Sequence, residues 1–305
     1  MNEPLSAIVI PPPLLIHIYA YSLSIMTVSG DLHGKIALVT GGGRGIGLAI
    51  TRALAQAGAT VIITYTAKDP TAVATAISQE FGVPVHVYYC PGEKSEVVNL
   101  VFEQASAEVG EVDLVIANAG VGLWRETIDM TDGRRQIVTQ ALTTPVELAT
   151  LMHTNLFAPI YLARAAVRYW LGLPATVQGD ISGIVNMSPQ FQMAYNASKA
   201  GLTMASKVSM SYRLWLTRQS LAGEWAKYGI TVNSVSPGYV KTDLIANPPP
   251  GEGAEWVAKW GAMTPVGRFA DASEVGDMVA FMASGRASSF MTGHDIVMDG
   301  GYTTY

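Results

Sequence analysis

Tyr195 and Lys199 stand one helical turn apart in the run Tyr195-Asn-Ala-Ser-Lys199. On a helix, positions i and i+4 share a face, so a phenol would lie beside a fixed positive charge. A free phenol titrates near pKa 10 and exchanges no protons at neutral pH. Bringing it to about 7 takes about 4 kcal/mol, which a neighbouring ammonium can supply by stabilising the phenolate. Alone, such a pair is an ordinary surface Tyr and Lys. Upstream, however, the chain reads Thr40-Gly-Gly-Gly-Arg-Gly-Ile-Gly47, a glycine run between an apolar stretch and a helical pattern. Gly41, Gly45 and Gly47 let the chain turn tightly and let phosphates approach backbone N–H groups at the positive end of a helix. The spacing is T-G-x-x-x-G-x-G rather than G-x-G-x-x-G. Together the two stretches suit a bound dinucleotide as hydride source and a separate donor of a proton to the carbonyl oxygen, chemistry that turns a carbonyl into an alcohol or the reverse.

Such groups need a scaffold. Ile36-Ala-Leu-Val-Thr40 reads as a buried strand, and residues 46–57 as a helix stopped by Gly58. Further strands are expected at 60–64, 83–89, 113–117, 184–187, 231–235 and 295–298, the third of these followed by a loop at Asn118. Continuous apolar strands alternating with helices imply a parallel sheet covered on both faces. The expected fold is α/β: a single doubly wound Rossmann-type domain with a mostly parallel sheet of about seven strands. Residues 31–305 form the catalytic domain, without repeats or a domain break, and the Pro/Gly-rich stretch 247–253 is a loop within it. Residues 1–30 read as a poorly ordered N-terminal extension. They are apolar, but Pro11, Pro12 and Pro13 break any helix that would cross a membrane, and Glu3 replaces the basic start of a secretory signal, so no stable membrane insertion is expected. Met26 is a candidate alternative start.

The 305 residues are 49% apolar, enough for a substantial core. A net charge of -5 offers no electrostatic footprint for nucleic acid. Cys90 is the only cysteine, which excludes an internal disulfide, argues against a thiolate metal cluster, and fits a reducing, cytoplasmic location. No metal is expected. Cofactor choice is argued locally. A site selective for the unphosphorylated dinucleotide ends its second strand in an acid that binds the ribose 2'-OH. Here that position is Tyr65, followed by Thr66, Ala67 and Lys68, and Arg44 in the glycine loop offers charge and donors to a 2'-phosphate. NADP is the expected cofactor, an NAD-linked enzyme the alternative.

Four motifs occur in order: the glycine run, Asn118-Ala-Gly120, Tyr195-x-x-x-Lys199 and Ser236-Pro-Gly-Tyr-Val-Lys-Thr242. This pattern resembles the short-chain dehydrogenase/reductase family over roughly residues 32–305. The phrases Gly47-Leu-Ala-Ile-Thr-Arg52, Ile116-Ala-Asn-Ala-Gly120 and Asp299-Gly-Gly-Tyr302 are similar to those of fungal NADP-dependent mannitol dehydrogenases and sorbose reductases. The resemblance implies roles. Tyr195 is the general acid in reduction and the general base in oxidation, and Lys199 lowers its pKa and bonds the nicotinamide ribose. Asn155 holds a water in the proton relay. Asn118 lines the adenosine side of the cofactor, Ile46 joins the glycine loop around it, and Pro237, Gly238, Val240 and Thr242 wrap the nicotinamide end. A small ketone or alcohol is the implied substrate, with a ketose/polyol pair leading, in a homo-oligomeric enzyme (dimer or tetramer).

The chain also departs from the pattern. Family spacing selects Ser182 as the serine that holds the substrate oxygen, whereas a strand at 184–187 selects Ser188, the favoured residue. Pro91-Gly92 stands where an adenine-contacting aspartate is usual. Residues 134–148 and 207–219 have no counterpart and read as insertions or retained intron sequence. Residues 244–268, with Trp256, Trp260 and Met263, fall where a substrate lid is expected; packing of these aromatics on a neighbouring subunit is the other reading. These departures leave a non-catalytic NADP-binding protein as the rival.

Overall fold

The computed structural model describes residues 31–92, 94–121, 145–172, 201, 221–242, 245, 253–285 and 288–304. Four parallel strands form its largest sheet: β1 (Ile36–Thr40), β2 (Thr60–Tyr65), β3 (Val85–Tyr89) and β4 (Leu114–Ile116), in the order β3-β2-β1-β4. Ile36 pairs with Thr60 and Ala37 with Leu114, so β2, β1 and β4 run in step. Period-2 alternation sends their side chains into two cores. Ala37, Val39, Val61 and Ile63 pack on one side with Ile50 and Leu54 of α1 (Gly45–Gln56). Leu38 and Ile62 pack on the other with Phe102 of α3 (Ser95–Val109). Both faces are covered, as continuous apolar strands require. α2 (Thr71–Phe81) lies between β2 and β3.

Beyond β4, α4 (Pro145–Met152) runs through a π-helical turn (His153–Phe157) into α5 (Ala158–Trp170). Pro159 explains the wide turn. Its ring would press on the carbonyl four residues back, that of Asn155, and it has no N–H to give that carbonyl its ordinary α-helical donor. α6 (Leu221–Trp225) leads to β5 (Ser234–Pro237), β6 (Val240–Lys241), α7 (Gly253–Ala262), β7 (Ala270–Asp271), α8 (Ala272–Ala283) and β8 (Asp295–Met298). β5 pairs in parallel with β8, and β6 with β7. A capping box starts α8: the Asp271 side chain accepts from the backbone of Glu274, whose carboxylate accepts from the Asp271 N–H at 2.8 Å. α8 lies directly on α1. A Cβ on Gly276 would sit 2.6 Å from the Ala49 carbonyl oxygen, so only glycine permits this approach.

Four expectations need correction. β4 begins at Leu114 because the Asp113 carboxylate is occupied by the Ile36 N–H (2.9 Å) and the Lys35 ammonium (2.6 Å). The strand expected at 231–235 is β5, three residues later: the Val232 N–H donates to Thr292 Oγ1 and the Asn233 amide to the Met291 carbonyl, and pairing with β8 starts only at Ser234. The strand expected at 83–89 is β3, which starts two residues later, just past Pro84; residues 145–148, part of a stretch read as an insertion or retained intron sequence, form the first turn of α4. The expected strand at 184–187, the N-terminal extension and the stretch 207–219 lie outside the described residues.

Candidate active site

The glycine run forms the turn between β1 and α1. Gly41 takes φ +65°, a left-handed conformation that glycine adopts without strain, and its N–H donates to the Thr64 carbonyl at 2.9 Å. Thr51 Oγ1 holds the Gly42 carbonyl at 3.0 Å, tying the turn to its own helix. Gly47 faces Gly41 so closely that a Cβ there would meet the Gly41 carbonyl group and lie 2.5 Å from Asn118 Nδ2. Arg44, in extended conformation, precedes the helix, whose first turn has no side-chain cap and no acidic residue. Among the described residues no side chain caps the first-turn N–H groups, which lie at the positive end of the helix dipole. This is a cradle for an anion, and a dinucleotide pyrophosphate fits it.

The neighbours of the cradle complete it. Asn118 and Ala119, just past β4, donate their N–H groups to Thr40 Oγ1 at 3.0 Å each, and Asn118 Nδ2 donates to the Thr40 carbonyl at 2.9 Å. Asn118 thus braces the glycine turn against the fourth strand. From the far end of the sequence, Thr242 approaches the first turn of α1, its Cγ2 lying 3.7 Å from where a Gly45 Cβ would be. Ile46 is half-buried on the core beside α1. The Val240 side chain is buried in that core, so only its main chain is available to a ligand. Arg44 is exposed and makes no ion pair with a described residue.

Asn155 is fully buried in the π turn. Its Oδ1 accepts from the Val121 N–H and its Nδ2 donates to the Val121 carbonyl, both at 2.8 Å. The side chain is committed to holding the segment after Asn118 against α4 and α5. Pro159 offers no N–H to the Asn155 main-chain carbonyl. Tyr65 ends β2 against Tyr89, ring centroids 5.5 Å apart and edge-on, with no acid at that strand end. Cys90, next to this corner, is buried, and burial pushes its thiol up to about 11. Tyr195, Lys199, Ser182 and Ser188 lie outside the described residues. Among the described residues no group of His, Cys, Asp or Glu gathers as a metal site, and no helix is long and apolar enough to cross a membrane.

Comparison with known proteins decides the lineage. A family profile described as enoyl-(acyl carrier protein) reductase matches residues 41–303. The chain belongs to the short-chain dehydrogenase/reductase family. Sorbose reductase SOU1 of Candida albicans is 34% identical over 280 residues, covering 90% of this chain and 88% of its own. An NADP-dependent mannitol dehydrogenase of Hypocrea jecorina is 31% identical over 286 residues, covering 90% and 94%. A crystal structure of a short-chain dehydrogenase/reductase from Mycobacterium marinum superposes with TM-score 0.72 at 31% identity, over 90% of this chain and 98% of that one. As a short-chain dehydrogenase/reductase the protein has the doubly wound fold and the oxidoreductase character of the family.

Proposed function

We propose that the protein is an NADPH-dependent carbonyl reductase, reversible as a secondary-alcohol dehydrogenase, acting on a ketose/polyol pair or another small ketone. The observation that carries this is the uncapped start of α1, closed over by Gly41, Gly47, Asn118 and Thr242. A nicotinamide dinucleotide bound there supplies a hydride to the carbonyl carbon. Every other task falls to the protein. The carbonyl oxygen needs one proton, and the Tyr195 hydroxyl gives it; the Lys199 ammonium stabilises the phenolate left behind, and the Asn155 carbonyl holds a water that restores the proton.

The serine that binds the substrate oxygen is Ser188. A space of about 500 Å³ lies between β4 and β5, lined by Leu114, Ile116, Val232 and Val235 and closed by Trp170 and Trp225. Ile184-Val-Asn-Met187 is the apolar run suited to fill it as a parallel strand. As a strand, that run would carry Ser188 past its C-terminal end and leave Ser182 before its start, about 20 Å apart at 3.3 Å per residue. Arg44 selects the 2'-phosphate. A cytoplasmic homo-oligomer completes the proposal.

Mixing the protein with NADPH and a panel of ketoses and small ketones tests it. NADPH oxidation that Tyr195→Phe and Ser188→Ala abolish and Ser182→Ala spares is the expected result. NADPH binding with no ketone reduced, and Tyr195→Phe indistinguishable from wild type, would make this a non-catalytic binder. Arg44→Ala should lower kcat/KM for NADPH about 10- to 100-fold, the worth of a charge-assisted contact, and leave NADH unchanged; equal loss with both cofactors would remove Arg44 from that role.

A further inference from the structure

Tyr302 of Asp299-Gly-Gly-Tyr302, Trp260 and Phe269 take no part in the phosphate cradle, yet they meet at one residue of the cofactor-facing loop, Tyr239. The Tyr239 ring lies 5.0 Å from that of Trp260 and within 3° of parallel. Phe269 stands 5.6 Å from it and Tyr302, edge-on, 5.3 Å. Trp260 belongs to the last turn of α7 and is buried. Tyr302 comes from the tail beyond β8. The Tyr302 hydroxyl is buried beside Tyr239, and burial raises its pKa above the ordinary phenol value.

The tail is firmly built and grips the turn behind α7. The Asp299 carboxylate accepts from the N–H of Gly301 (2.9 Å), the N–H of Thr303 (2.8 Å) and Thr303 Oγ1 (2.6 Å). The Val266 N–H donates to the Gly300 carbonyl at 3.1 Å, and Thr264 Oγ1 donates to the Trp260 carbonyl at 2.9 Å, closing the end of the helix. Three stretches remote in sequence, at 238–242, 253–269 and 299–304, therefore share one aromatic cluster. One of them ends at Thr242, against α1.

We infer that Tyr239, Trp260 and Tyr302 are positioning residues that couple α7, as the wall of the substrate pocket, to the cofactor-facing loop, and that the C-terminal tail is a working part of that wall. This rests on the proposed reductase function, but the coupling is measurable without activity. Hydrogen exchange on the full chain, without substrate, is the test. One aromatic pair is worth about 0.5–1.5 kcal/mol, so Trp260→Ala should speed exchange about 2- to 10-fold at 253–264 and, together with it, at 299–304, leaving β1 to β3 unchanged. Tyr302→Ala should loosen α7 in return, while Trp260→Phe and Tyr302→Phe stay near wild type. Loosening confined to 253–264, with α7 unmoved by Tyr302→Ala, overturns the coupling even in an active reductase. With an accepted ketone, the alanine variants should raise its KM about tenfold and leave the NADPH Kd and kcat within about twofold. A loss of kcat alone, shared by the phenylalanine variants, overturns the positioning role. Coupled exchange without reduction of any ketone instead sinks the reductase proposal and leaves the coupling standing.

Discussion

Gly47→Ala isolates the closest contact in the phosphate cradle. In an unconstrained helix the change would stabilise, by about 1 kcal/mol, because alanine is the better helix former. Here the new Cβ would lie 2.5 Å from Asn118 Nδ2 and 2.9 Å from the Gly41 carbonyl carbon, and closer still to its oxygen. None of these can give way cheaply: the Gly41 N–H is bonded to Thr64 and the Asn118 amide to Thr40. Real Cβ contacts essentially never fall below 3.0 Å, so the turn must move by about 1 Å, an overpacking cost of about 1–3 kcal/mol. Sterics at least offset propensity, and urea denaturation should show a net loss of up to about 2 kcal/mol. The same movement misplaces the N–H groups that meet a pyrophosphate, so the NADPH Kd, read by fluorescence titration, should rise about 10- to 100-fold. Gly82→Ala is the control. It has φ +70° with nothing within 4 Å of its Cβ, so it loses about 1 kcal/mol through backbone strain and should leave the Kd alone. A Gly47→Ala protein as stable as wild type, binding NADPH within about twofold, would refute the cradle.

Three more outcomes follow from the geometry. Asn155→Ala strips the Val121 N–H and carbonyl of their partner and should cost about 2–4 kcal/mol by denaturation; Asn155→Asp, which sets a charge against that carbonyl, should not rescue it, and a loss under about 0.5 kcal/mol would disprove the brace. With its thiol pushed up to about 11 by burial, Cys90 has on the order of 0.1% thiolate at pH 8, so the folded protein should react with a thiol reagent about 100-fold more slowly than a small-molecule thiol, and rapid labelling would contradict its burial. Arg268, gripping Glu274 at 2.7 and 2.9 Å, holds that carboxyl down to about 2, and a depressed acid stabilises above its unfolded pKa and loses the effect as pH falls towards 2. The pair is largely solvent-screened, so Glu274→Gln should cost only about 0.5 kcal/mol at pH 7 and nothing near pH 2; a pH-independent difference would refute the charge argument.

What the sequence disclosed, and what it hid, follows the range of the interactions. β1, α1 and β2 were legible to within a residue because buried parallel strands are continuous apolar runs and Gly58 marks the helix end. The glycine turn and Asn118 were legible because phosphate chemistry constrains both spacing and residue type. β5 was displaced because Thr292 and Met291, remote in sequence, occupy the groups of Val232 and Asn233. The π turn announced itself only through Pro159, and that the Asn155 side chain is spent on Val121 depends on a fold-level approach no local pattern encodes. Within the expected lid stretch, Trp260 turned out to pack on Tyr239 of its own chain.

The contact between Gly276 and Ala49 has a consequence for how the protein comes into being. α1 emerges from the ribosome well before α8, yet each is the other's bed. A nascent chain that stops short of residue 272 lacks the surface on which α1 rests. Packing of that helix therefore waits until α8 has been made, a contact of long sequence separation that closes late.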